Sequence, residues 1–103
     1  MAQLVDLAKT IRSKNAGVDA VTFDIIFDDL DTYRRVLDSG VITPQLIADL
    51  YRIDTDTITD FVAFEPAKAI KFTLRRPIPS GSPGDPDIYG AQQYPPLFGI
   101  EIP

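Results

Sequence analysis

The 103-residue sequence has no cysteine, no histidine and no tryptophan. Without cysteine there are no disulfides and no thiol nucleophiles, and without either cysteine or histidine there are no Cys/His zinc sites. The missing imidazole removes the one side chain that ordinarily titrates near neutral pH. Any catalytic group must then be Asp, Glu, Lys, Tyr or Ser. Residues 77–103 also lack Lys and Arg, although they hold seven of the nine prolines and four of the six glycines. No apolar run is long enough to span a bilayer, and the first seventeen residues carry Asp6, Lys9, Arg12 and Lys14 in place of a signal peptide's apolar core. A soluble cytoplasmic protein is the expectation.

Fifteen acidic residues oppose ten basic ones, a net charge of −5. That balance argues against nucleic acid or an anionic membrane as partner. Hydrophobic residues make up 45 % and charged residues 24 %, the balance of a folded domain. The length suits a single domain, residues 1–103, with a proline-rich loop and final strand over 77–103. Thirteen of the acids are Asp, a residue of caps and turns, so many element boundaries are expected.

Residues 4–12 are ambiguous. Leu4, Leu7, Ala8 and Ile11 fit a helical stripe, and Val5, Leu7, Lys9 and Ile11 fit strand alternation. Residues 12–17 read as a loop, with Asn15 and Gly17 suited to positive φ. A strand is predicted over Val21–Phe27, with Val21, Phe23, Ile25 and Phe27 on one face and Thr22, Asp24 and Ile26 on the other. A helix follows over Leu30–Asp38, capped by Asp28 or Asp29, with Leu30, Tyr33, Val36 and Leu37 as its apolar stripe and Gly40 as its stop. The second helix starts at Thr43-Pro44 and buries Leu46, Ile47, Leu50 and Tyr51. Ile58–Phe64 and Ala67–Arg75 are strands that form a hairpin around Glu65-Pro66 or one long bent strand. Leu97–Ile102 reads as a last strand. These elements imply an α+β sandwich, a mostly antiparallel sheet with two short helices on one face.

Two stretches are candidates for ligand binding. Arg12, Ser13, Lys14 and Asn15 place two cations, a hydroxyl and an amide together, the chemistry of an anion grip or of a solvated turn. Ser80, Gly81, Ser82, Gly84 and Asp85 surround a type II turn signal whose N–H groups suit an anion site or a plain surface turn. Asp85 and Asp87, at i and i+2, are compatible with Mg²⁺ or Ca²⁺ ligation, but two carboxylates are a weak signal, and the expectation is no metal and no cofactor. Asp24, Asp28, Asp29 and Asp31 read as helix capping. Lys68, Lys71, Arg75 and Arg76 form a basic stripe that gathers cations beside Arg12, blunts a sheet edge or faces solvent. Tyr89, Gln92, Gln93 and Tyr94, stiffened by Pro95-Pro96, suit a contact surface or a loop packed on its own domain, and Tyr94-Pro95 is a candidate cis bond.

Taken together, Leu7-Ala8…Ile11-Arg12-Ser13-Lys14-Asn15-Ala16-Gly17, Asp24-Ile25-Ile26-Phe27-Asp28, Arg76-Pro77…Pro79-Ser80-Gly81-Ser82-Pro83-Gly84-Asp85 and Tyr89-Gly90-Ala91-Gln92-Gln93 resemble the Domain of Unknown Function 4387 family. Members are similar to the C-terminal ferredoxin-like domain of acyclic terpene utilisation protein A. There Leu-Ala…Arg-Ser-Gly-Asp-Lys-Gly precedes a strand; only Arg12, Ser13 and Gly17 match its second half. The resemblance implies a ferredoxin-like fold and a strand over residues 4–12. It also implies a small accessory subunit completing a large acyclic-terpene-utilisation-A-like protein that acts on branched carboxylic acids or their CoA esters. The alternative is a free-standing homo-oligomeric module that binds small molecules or regulates. An independent lyase or hydratase using Asp or Lys is the third reading, and it needs a burial that so short a chain offers little of.

Overall fold

The structure, a computed structural model, describes residues 2–17, 19–75 and 95–103. Chain order is β1 (Ala2–Gln3), α1 (Leu4–Leu7), β2 (Thr10–Asn15), β3 (Ala20–Ile26), α2 (Leu30–Ser39), α3 (Pro44–Tyr51), β4 (Ile58–Phe64), β5 (Ala69–Arg75) and β6 (Glu101–Ile102). The main sheet has the order β2-β3-β5-β4, and β1 pairs with β6 in a second, two-stranded sheet. Every pairing is antiparallel. The class is the expected α+β, in its layers consistent with a ferredoxin-like sandwich.

The sheet consists of two hairpins, β2-β3 and β4-β5, joined through the helix pair. A 3₁₀ turn at Glu65–Ala67 closes the second hairpin, with Lys68 in the left-handed region at φ 51°. This decides between the hairpin and the bent strand. One face of the sheet carries Val21, Phe23, Ile25, Ile70, Phe72 and Leu74, all buried. The helices pack there: Tyr51 sets its ring edge-on to Phe23 at 5.4 Å, and Tyr33 does the same to Phe27 at 6.2 Å. Leu4, Leu97, Ile100 and Ile102 join the same core, so both ends of the described chain are tied into it.

The helix termini follow the sequence closely. Asp29 caps α2 by accepting from the Thr32 N–H at 2.7 Å, and Gly40 ends it at φ 68°. Thr43 caps α3 by accepting from the Leu46 N–H, with Pro44 in the first turn. The predicted stripe of α2 is too wide. Tyr33 and Val36 are buried, whereas Leu30 and Leu37 are exposed, because the helix meets the core along a narrow i, i+3 contact.

The N-terminal expectation needs correction. Residues 4–12 are not one strand. Leu4–Leu7 form a helical turn closed by Ala8 N–H to Leu4 O at 2.9 Å, and the strand begins at Thr10. Leu4 is fully buried and donates its N–H to Ile100 O, an anchor that the turn lets it reach. Residues 12–15 are not a loop either. They belong to β2 and pair with β3 from Thr10↔Ile26 to Asn15↔Val21. The turn comes later, and Gly17 adopts the expected positive φ of 83°. At the other end, a 3₁₀ turn over Pro95–Gly99 takes the first half of the predicted last strand, leaving Glu101–Ile102 to pair with β1.

Candidate functional site

Side chains alternate across a strand, and directly paired antiparallel residues share a face. The register therefore builds the sheet's outer face, opposite the helices, row by row. Its central row is Arg12–Asp24–Lys71–Val62, from β2 across β3 and β5 to β4. On one side lies Lys14–Thr22–Thr73–Asp60, and on the other Thr10–Ile26–Ala69–Phe64.

Asp24 is the unusual member. It is 2 % exposed, on a sheet face that no helix of the described residues covers. A buried carboxylate is costly unless cations and donors meet it. Arg12 Nε donates to Asp24 Oδ2 at 3.0 Å, and Lys71 Nζ lies 3.7 Å from Oδ1. The second contact is an ion pair beyond hydrogen-bond length, and Oδ1 is buried without a hydrogen-bond partner. The two cations remain half exposed, their side chains at 55 % and 44 %. In the neighbouring row the hydroxyls of Thr22 and Thr73 are 3.2 Å apart.

The expected four-residue grip is divided by strand alternation. Arg12 and Lys14 stand on the outer face. Ser13 and Asn15 belong to the inner side, where Ser13 is buried opposite Phe23. What joins Arg12 is instead Lys71, one strand beyond Asp24. The basic stripe thus does bring cations together: Lys71 and Arg75 share the outer face of β5, an interior strand, so they blunt no edge. Lys68 sits in the hairpin turn and donates to Asp28 O. Of the acidic run only Asp29 caps a helix by its side chain; Asp24 is the counterion of the cation pair, and Asp28 pairs with Lys9. Ser80, Gly81, Ser82, Gly84, Asp85, Tyr89, Gln92, Gln93 and Tyr94 lie outside the described residues, as do Arg76 and the Tyr94-Pro95 bond.

Proton-transfer groups are not prominent. Burial raises the pKa of Tyr33, with Glu65 adding to the effect, and burial likewise raises that of Tyr51. Both phenols stay protonated at neutral pH, so neither serves as a base there. A shallow groove of about 550 Å³ at the end of α3 is lined by Asp49, Arg52, Asp54 and Thr57, with Ala48 and Ile53. What the outer face presents is a pair of cations: an Arg guanidinium held through Nε among the described contacts, and a Lys ammonium outside hydrogen-bond range of its nearest carboxylate.

Among known proteins, the model of a family described as Domain of unknown function (DUF4387) matches residues 4–101. No curated protein and no solved structure matches the chain.

Proposed function

Because the chain belongs to the family described as Domain of unknown function (DUF4387), we propose that it is a small accessory subunit of a two-component catabolic enzyme. Its partner in this reading is a large acyclic-terpene-utilisation-A-like protein acting on branched carboxylic acids or their CoA esters, in the cytoplasm. The observation that carries the reading is the Arg12–Asp24–Lys71 row. It presents two half-exposed cations on one sheet face, on a chain without imidazole or thiol. Such a face binds and orients an acid, while the larger subunit supplies the chemistry. The sequence candidates Ser80–Asp85 and Tyr89–Tyr94 serve this reading as pocket rim and subunit contact.

Co-expression with the protein encoded next to it is the direct test. A single gel-filtration peak holding both chains at micromolar concentration is expected. Two separate peaks overturn the reading. One feature favours the alternative of a self-associating binding module: β4 is an edge strand with Val62 and Phe64 exposed. A stable homodimer of the chain alone, with no complex, would decide for that alternative.

A further inference from the structure

We infer that the outer sheet face itself binds a monocarboxylate with an acyl chain, its head on Arg12 and Lys71 and its tail across Val62, Phe64 and Ile26. The inference rests on the reading of this face as an acid-binding surface and assigns the orientation of the acid on it.

Charge selects the head group. Arg12 and Lys71 oppose the single carboxylate of Asp24, which leaves one positive charge in the central row. In the row beside it, Lys14 on β2 and Asp60 on β4 stand at opposite edges of the sheet. The positive charge left over in the central row suits a single carboxylate head group, and Arg75 adds a further cation along the same face of β5. Asp24 is buried beneath and cannot itself be reached, so it acts as a positioning residue that holds the half-exposed Arg12 guanidinium by Nε.

Apolar surface selects the tail. Val62 ends the cation row at 42 % exposure, and Phe64 ends the next row at 48 %. Ile26 and Ala69 fill the interval between Phe64 and β2. Adjacent rows on one face are two residues apart along the strand, about 7 Å. An acyl chain of a few carbons spans that distance. The face thus has a cationic centre and an apolar corner side by side, the pattern of an amphiphilic acid.

The test is an NMR titration of the full chain, following backbone amides, with acetate, butyrate, hexanoate and octanoate. Affinity should rise about twofold per added methylene, as for half-buried CH₂ groups. Shifts should centre on Arg12, Ile26, Phe64 and Lys71. The V62S/F64S double variant should flatten the dependence on chain length, and R12Q/K71Q should weaken octanoate at least tenfold while leaving octan-1-ol unchanged. All four positions are partly exposed, and far-UV circular dichroism checks that the variants stay folded. Equal affinity for acetate and octanoate overturns the inference. So does octyltrimethylammonium binding as tightly as octanoate, or shifts centred on another face. A chain that joins the large partner but ignores octanoate overturns this inference alone. One that binds octanoate with no partner overturns the subunit reading alone.

Discussion

At the scale of single residues, Phe72 is wholly buried, with its ring stacked on Phe23 at 4.7 Å and on Phe61 at 6.0 Å. These three rings stand in one inner-face row, Phe23–Phe72–Phe61, so the stack follows directly from register. Phe72→Ala should therefore lower unfolding free energy by about 3–5 kcal/mol, measured by urea denaturation. Asp24 illustrates the opposite kind of residue. Its place on the polar side of β3 was legible from the alternation of Val21, Phe23 and Ile25. Its burial and its two partners were not, because Arg12 and Lys71 are 12 and 47 positions away and meet it only through strand pairing.

At the scale of elements, the helix ends were the most readable features, because capping chemistry is local. Asp29 shows this best. Hydrogen bonds from Thr32, first its backbone N–H and then its side chain, hold the Asp29 pKa below the ordinary carboxylate value of 3.8, and Lys68 adds a smaller pull. The folded pKa lies below the unfolded one, so the stabilisation is complete above the unfolded value. It is lost as pH falls through the lowered folded value. Asp29→Asn keeps a good cap but cannot titrate. In circular-dichroism melts, the variant should lose less stability than the parent between pH 4 and pH 2. An equal acid dependence in both would show that Asp29 does not carry this linkage. The strand β2 was the least readable element. Its inward positions include Ser13 and Asn15, so it lacks the apolar alternation by which strands are recognised, and its outward Arg12 and Lys14 mimic a charged loop.

At the scale of the whole molecule, the two chain ends meet. Ala2 pairs with Ile102 and Gln3 with Glu101, and Leu4 donates its N–H to Ile100 O at 2.7 Å. Leu4 and Ile102 have no exposed surface and share the central core with Leu97. Closure of this kind ties a short second sheet to the main one. Ile102→Ala should cost about 2–4 kcal/mol, comparable to a mid-strand core position, although it lies one residue from the terminus. Thermal denaturation read by circular dichroism checks it. A loss below about 0.5 kcal/mol would mean that the terminal pair contributes little to the core.

The sequence by itself determined the α+β class, the two helices with their caps at Asp29 and Thr43, the stop at Gly40, and three of the four main strands. Each of these depends on a local signal: a cap within three residues, a left-handed glycine, or an apolar period of two. The tertiary structure alone decided that Arg12 and Lys71 flank one buried carboxylate, that Ser13 turns away from Arg12, and that the chain ends join in one core. Those are matters of register between strands distant in the chain. Pairing is fixed by which faces bury together, and no local window of sequence contains that information.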